Sequence, residues 1–318
     1  HPSALPEDVL KESLIDCVVR GEGDFIFGQV IEKGPNPDIP NIFYKHGDGI
    51  VAAEVQGALT DDLDTLPFPA YNLLDSSRYH QPRLSCRESP LAYMETSRGC
   101  YGRCIFCNKN ICGFRMRMKS PLRVVDEMEY LLGLGYKEIH IMDDIFTADM
   151  ARAEAICAEI IRRGLVFSWY PRGGIRVDRV NPGLLTAMKK AGCYRIPFGV
   201  ESGSQRVLDV VNKKTTLEQA EQAVKMAKEA WLETECYFML ALPTETEEDI
   251  RKSIDFAVRL DPDYAKFAIT TPLPGTPMFD KIRSDGRLKT LDWSKYNFST
   301  PSQELFTHDV LSPETIDR

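Results

Sequence analysis

Three cysteines stand at Cys-x3-Cys-x2-Cys spacing: Cys100, Cys104 and Cys107. Thiolates are soft ligands, and soft sites select iron–sulfur clusters, zinc or copper(I). An electron-carrier cluster takes four cysteines, and a structural zinc site closes its shell with four ligands. Three thiolates on so short a loop leave one metal corner open, and an open corner can bind a substrate. The alternative is a closed zinc or structural site, completed by Cys112 or Cys86. Other residues could also do chemistry. Asp143 and Asp144 are adjacent carboxylates that could orient a substrate or an ammonium group, unless Asp144 or Thr147 caps a helix. Arg176 offers a fork suited to a carboxylate, or a surface salt bridge. Glu201 follows Gly199 and precedes Ser202 and Gly203. Small residues there allow close approach of a ligand to the backbone, although Glu201 could instead serve as a cap.

These residues fall at the ends of a repeating unit. Leu91 to Glu95 reads as a strand, and the cysteine loop follows it. Ser120-Pro121 then gives an N-cap with proline at the first helical position, opening a helix through Val124, Met128, Leu131 and Leu132. Glu138 to Asp144 is the second strand, followed by a helix from about Asp149. Phe167 to Tyr170, continuing towards Ile175-Arg176, is the third, and Asn181-Pro182 caps the next helix. Arg195 to Glu201 is the fourth, and Thr216-x-x-Gln219 is a capping box. Cys236 to Leu242 is the fifth, with a capped helix expected from Thr244-x-x-Glu247. Ala265 to Thr270 is the sixth. Strands alternating with helices predict α/β architecture with a parallel sheet, and chemistry at the C-terminal strand ends.

The cysteine loop, with Phe106 just before its last cysteine, resembles the signature of radical S-adenosylmethionine (radical SAM) enzymes. The resemblance implies an open six-unit (β/α)6 partial TIM barrel over 89–280. It implies a [4Fe-4S] cluster on Cys100, Cys104 and Cys107, with S-adenosyl-L-methionine chelating the fourth iron. Gly199-Val200-Glu201-Ser202-Gly203-Ser204 is similar to the family's SAM segment, in which the acidic residue meets polar groups of SAM. Ala241-Leu242-Pro243-Thr244-Glu245-Thr246 is similar to the family's Gly-Leu-Pro-Gly-Glu-Thr, with Ala241 and Thr244 departing from the glycines. The resemblance thus implies cofactor contacts at Phe106, Asp143, Asp144, Arg176, Glu201, Ser202, Leu242 and Pro243. Thr271 to Pro277 is again a family-like phrase.

Residues 1–60 read as a helix from Pro6 to Leu14 with Val9, Leu10 and Leu14 on one face. A strand at Ile15–Arg20, a second helix and a hairpin with its turn at Gly47-Asp48-Gly49 follow. Gly21, Gly23 and Gly28 are spaced Gly-x-Gly-x4-Gly and fail the dinucleotide fingerprint. The phrases His1-Pro2-Ser3-Ala4-Leu5-Pro6, Val18-Val19-Arg20-Gly21-Glu22-Gly23-Asp24 and Leu63-Asp64-Thr65-Leu66-Pro67-Phe68-Pro69-Ala70 resemble the trailing part of a Rossmann-like cobalamin-binding domain. His46-Gly47 does not fit that family's Asp-x-His-x-x-Gly loop. The resemblance implies cobalamin in the full-length protein. A proline-bearing linker spans 61–88, and 281–318 reads as the start of a C-terminal extension. The chain opens on His1 and stops inside a predicted helix, so it is expected to be a fragment truncated at both ends.

The chain has 318 residues, 43% of them hydrophobic, enough for one large domain and a small one. Net charge is −8 and the basic residues are scattered, giving no nucleic-acid footprint. No apolar run approaches membrane-span length, and no signal peptide opens the chain. Nine cysteines, three of them clustered, point to a reducing cytoplasm and metal use rather than a disulfide framework. Cys17, Cys157, Cys193 and Cys236 read as buried structural thiols, and His140 as a core histidine. The sequon Asn297-Phe298-Ser299 is at chance level. The expected activity is reductive cleavage of SAM to a 5′-deoxyadenosyl radical. Its expected use is cobalamin-dependent methylation, or cyclisation or rearrangement, of an unknown small molecule. An electron donor such as flavodoxin or ferredoxin would supply the electron. The alternatives are a methylthiotransferase-type radical SAM enzyme, for which Cys17 and Cys86 are too few to hold a second cluster, and a non-catalytic iron–sulfur protein.

Overall fold

The computed structural model describes residues 2–12, 14–53, 59–79, 81–82, 84–296 and 301–316. The sequon at Asn297 lies outside them. Two compact units form, and they do not follow chain order. One gathers His1–Leu66, Gly99–Arg117 and Thr271–Thr307; the other gathers Pro67–Arg98, Met118–Thr270 and His308–Arg318.

In the first unit, β1 (Cys17–Val19), β2 (Ile42–His46) and β3 (Gly49–Ala53) form a sheet in that order, antiparallel throughout. Ile42, Tyr44 and Ala53 join Ile39 in a small core, onto which Ile26 and Val30 of α2 (Ile26–Lys33) pack. On the other face Leu10 of α1 (Pro6–Glu12) meets Val18 and Phe43. The hairpin stands where turn chemistry placed it. Two expectations do not hold. Leu14 lies beyond α1 and is fully exposed, because the helix stops at Glu12. Cys17 is half-buried rather than buried, because it sits on a short three-residue strand. The antiparallel pairing also means that these strands do not make a parallel, doubly wound sheet. A third small core, of Met278, Ile282, Leu305 and Phe306, forms around the helix Pro277–Ser284.

In the second unit, β4 (Leu91–Met94), β5 (Glu138–Ile141) and β6 (Ser168–Tyr170) are parallel neighbours, and so are β7 (Arg195–Glu201), β8 (Glu233–Leu240) and β9 (Tyr264–Ile269). Isolated parallel bridges link Trp169 of β6 to Cys193, just before β7, and Ile175, after β6, to Phe198 of β7. The helices α3 (Pro121–Gly133), α4 (Met150–Arg162), α5 (Pro182–Lys190), α6 (Gln205–Val210), α7 (Leu217–Glu229) and α8 (Glu247–Leu260) fill the connections. One side of the strands carries Ala92, Met94, Ile139, Ile141, Trp169, Ile196, Phe198, Val200, Cys236 and Phe238, all buried in one core with the helices. By the two-residue period of a strand, Tyr93, His140, Arg195, Glu235, Tyr237 and Lys266 take the opposite, inner side.

Helix starts follow local chemistry. Ser120, Asp149, Asn181 and Thr216 each accept a backbone N–H in the first turn, and Thr216 with Gln219 completes a capping box. The cap of α8 is a correction. Thr246 caps it, with Asp249 as its box partner, rather than Thr244 with Glu247. Thr244 is unavailable because it sits at φ +65° in the preceding turn, where its N–H meets the Asp309 carboxylate. The third strand stops at Tyr170. Gly173 then passes so close to β5 that a Cβ would lie 2.1 Å from the Asp143 carbonyl oxygen. No helix among the described residues is long and apolar enough to cross a membrane.

Candidate functional site

The cysteine loop is built inside the first unit. Gly99 opens it at φ +88°, where a Cβ would lie 2.3 Å from the Arg115 carbonyl oxygen and 3.2 Å from that of Cys112. Only glycine fits that turn. The Cys100 N–H donates to the Gly113 carbonyl (3.3 Å) and the Cys107 N–H to that of Cys104 (3.2 Å). The Cys100 Sγ accepts the Gly102 N–H at 3.3 Å. Beyond the loop, the buried Arg117 guanidinium pairs with Glu22 and donates to the carbonyls of Thr60 (2.9 Å) and Cys112 (3.0 Å). On the C-terminal side, the Asn108 amide donates to the Pro274 carbonyl (2.7 Å) and the Met278 N–H to that of Ile105 (3.0 Å).

Cys100, Cys104, Cys107 and Cys112 are all half-buried, and none is in a disulfide. Among the described residues no three His, Cys, Asp or Glu side chains converge as a metal-holding group. Phe106 packs against the core of Met278, Ile282, Leu305 and Phe306. Cys112 shares the unit of the loop, whereas Cys86 belongs to the other.

In the second unit the strand ends carry the remaining candidates. Asp143 is buried and accepts from the N–H groups of Thr96 (2.6 Å) and Ser97 (3.0 Å) and from both their hydroxyls. Burial pushes its carboxyl above the usual range, against the pull of those bonds. It clamps the end of β5 to the end of β4. Asp144 is exposed, and Asp149, not Asp144 or Thr147, caps α4. Arg176 spends its fork on Asp178, at 2.9 and 3.1 Å, and on the carbonyls of Lys213 and Lys214, both at 3.2 Å. It is a brace rather than an open carboxylate receptor.

Glu201 ends β7 in the left-handed region at φ +69° and takes the Lys213 ammonium at 2.7 Å. Gly199 makes room for this pair, since a Cβ there would stand 2.7 Å from the Glu201 carboxylate. The Ser202 hydroxyl is turned to Ser253, 3.1 Å away, and accepts the Ser204 N–H at 3.1 Å. After β8, Ala241 and Thr244 adopt φ +58° and +65°. The glycine-like backbone is therefore kept although the glycines are not. Leu242 is buried, with its N–H on the Glu245 carboxylate (3.1 Å) and its carbonyl 2.8 Å from the His308 Nε2; Pro243 is half-buried beside it.

Several organising residues carried no signal of their own in the sequence. Lys213 has no local signature, and its pairing with Glu201 across twelve positions needs the fold. Glu245 was read only within its phrase. It is fully buried with one carboxylate oxygen unpartnered, and burial pushes it up to about 7.

Comparison with known proteins decides the family. The Radical SAM superfamily matches residues 94–257. An uncharacterized methyltransferase of Pyrococcus horikoshii is 36% identical over 321 residues, covering 98% of this chain and 68% of that protein. The chain belongs to the radical SAM superfamily. An anaerobic magnesium-protoporphyrin IX monomethyl ester cyclase of Cereibacter sphaeroides is 29% identical, covering all of this chain and 51% of its own length. The radical SAM methyltransferase TsrM of Kitasatospora setae, solved with cobalamin and a [4Fe-4S] cluster bound, superposes with a TM-score of 0.73 at 22% identity, over 92% of this chain and 58% of that one. This radical SAM chain thus has the partial-barrel fold of TsrM. It spans about half to two thirds of the length of these relatives.

Proposed function

We propose that this chain serves a radical SAM enzyme of the cobalamin-dependent methyltransferase and cyclase group, acting on a small molecule. The observation that carries the proposal is the loop Gly99–Cys107, with three half-buried cysteines at family spacing and none of them in a disulfide. The donor set fits the cluster in type and number, since soft thiolates hold iron and three of them leave one iron open. Cys100, Cys104 and Cys107 would hold the cluster. When bound, a [4Fe-4S] cluster supplies the electron that cleaves SAM to methionine and a 5′-deoxyadenosyl radical.

The chain's own part is to bind, orient and exclude water. Gly99 and Arg117 hold the loop in shape. Glu201, with its second carboxylate oxygen beyond Lys213, would meet the polar groups of SAM. The left-handed turn from Ala241 to Thr244 would set backbone beside the adenine. Six strand–helix units would make up the barrel. The names of the methyltransferase, the cyclase and TsrM support the reaction class and, for TsrM, cobalamin. Among the described residues of 2–53 we assign none to a corrin, and no step here depends on one. The electron would come from a flavodoxin- or ferredoxin-like donor.

The test is reconstitution without oxygen. The wild-type chain should take up four irons and release 5′-deoxyadenosine from SAM under a chemical reductant. Alanine at Cys100, Cys104 or Cys107 should abolish both, whereas Cys112→Ala should preserve both. A zinc-loaded protein that resists iron would refute the proposal.

A further inference from the structure

The inner side of the second unit carries a polar layer where a barrel interior is ordinarily filled with branched apolar side chains. Glu138 and His140 of β5 are both fully buried, with the His140 Nε2 2.6 Å from the Glu138 carboxylate. Glu138 also accepts from the Tyr194 hydroxyl (2.7 Å) and from the backbone N–H groups of Arg87 and Glu88 (each 2.7 Å). Arg195 of β7 pairs with Glu233 (2.9 Å) and Glu235 (3.8 Å) of β8, Arg87 also pairs with Glu233, and Lys266 of β9 with Glu235.

One cation in this layer stands apart. Arg172, just past β6, lies 3.4 Å from the His140 Nδ1, and its guanidinium sits 5.9 Å over the Tyr93 ring. A guanidinium only donates, so Nδ1 accepts and the proton of His140 rides on Nε2 towards Glu138. The imidazole is neutral in this arrangement, and its burial favours that form. Among the described residues no carboxylate pairs with Arg172. The layer therefore sets four cations, Arg87, Arg172, Arg195 and Lys266, against three carboxylates, Glu138, Glu233 and Glu235. The surplus positive charge falls on the arginine that no acid touches, and most of its five N–H donors remain to be used.

The surroundings favour a flat apolar body beside that charge. Tyr93 of β4 and Met142, the residue just after β5, are both exposed. Tyr237 is half-buried, lies within electrostatic reach of Arg172, and is itself faced by the Lys266 ammonium, 5.6 Å from its ring centre. Arg172 is half-buried, so solvent reaches it and a ligand can too. With a neutral imidazole and a ring face as its neighbours, its guanidinium is placed to take an anion from outside.

We propose that Arg172, oriented by His140 and flanked by Tyr93, Tyr237 and Lys266, is a subsite for an oxyanion, a carboxylate or phosphate-type group, on a substrate with a planar apolar body. This assignment rests on the radical SAM reading above, in which the inner side of the strands receives substrate. The bidentate fork suits either oxyanion. SAM also bears a carboxylate, and the two sources separate by experiment.

Binding of 2-naphthoate and of its neutral counterpart 2-naphthalenemethanol is measured by fluorescence titration of the full 318-residue chain. The wild type should prefer the carboxylate by tenfold or more, the lower bound for a hydrogen bond to a charged group. Arg172→Gln keeps a donor for His140. It should erase the preference while leaving affinity for the alcohol, affinity for SAM and the melting temperature unchanged within error. Arg172→Lys should restore part of the preference. The proposal is overturned if the wild type shows no preference, or if the preference survives Arg172→Gln. A fall in SAM affinity alongside the lost preference would assign the arginine to SAM and likewise overturn it. The titration needs no cluster, so release of 5′-deoxyadenosine from the same wild-type preparation reports separately on the radical SAM reading.

Discussion

Glu201 illustrates how a side chain can be poised for a ligand and still be part of the frame. Its carboxylate holds the Lys213 ammonium at 2.7 Å, with the two side chains 12% and 8% exposed. Removing one partner of a buried pair costs about 3–5 kcal/mol, whereas replacing both by apolar groups can be neutral. Glu201→Ala should therefore lower both stability and SAM affinity, the latter by roughly 10- to 150-fold if one charged hydrogen bond is lost. The double variant Glu201→Ala with Lys213→Met should recover the melting temperature without recovering SAM affinity, read by calorimetry and equilibrium dialysis. If SAM affinity returns with stability, Glu201 is only a support. Asp143 is the converse case. Its four acceptor contacts are all spent on Thr96 and Ser97. Asp143→Asn should cost about 1.5–3 kcal/mol in urea unfolding and leave SAM affinity within twofold. The residue types were legible in the sequence, since a carboxylate at a strand end reads as chemistry. Their partners were not, because Lys213 and Thr96 are set against them only by the closing of the strands.

At the scale of elements, caps and turns were the most legible features because their chemistry is local. Ser120, Asn181 and the Thr216 box stand as the spacing predicts. The box of α8 slipped by two residues because a tertiary contact, Thr244 to Asp309, claimed the earlier threonine. The same turn holds Glu245, whose carboxylate ties down the Leu242 N–H while its other oxygen is buried unpartnered. Burial pushes its pKa up to about 7, from the ordinary 4.5. The folded state then keeps a proton that the unfolded chain has lost between these values. Stability from this group is fully present below pH 4.5 and is lost as pH rises towards 7, by up to about 3 kcal/mol at 1.36 kcal/mol per unit. Glu245→Gln carries a permanent neutral form. The stability difference between variant and wild type should be small at pH 4.5 and should widen in favour of the variant by pH 7.5. A difference that is flat with pH would mean that the turn admits water to the carboxylate.

At the scale of the whole molecule, the strand–helix alternation was readable from periodicity, but the grouping of segments was not. Residues 99–117 follow β4 in sequence, yet they fold into the compact unit of the N-terminal lobe and the segment 271–307. The cause lies in contacts between residues far apart in the chain: Arg117 with Glu22 and Thr60, Arg115 with Asp61, and Asn108 with Pro274. The Arg117–Glu22 pair is almost wholly buried, so Glu22→Ala leaves an uncompensated guanidinium at a cost of about 3–5 kcal/mol. That cost falls on the segment that carries the three cysteines. A chain cut to begin at Pro67 loses Glu22, Thr60 and Asp61 together, although it keeps every strand of the second unit. It should retain parallel α/β structure by circular dichroism, yet take up less than half the iron of the 318-residue chain on anaerobic reconstitution. Its cysteine loop should also be cut faster by protease between Gly99 and Arg117. Full iron uptake by the shortened chain would show that the loop takes its shape from β4 and α3 alone, and that the N-terminal lobe has no part in holding it.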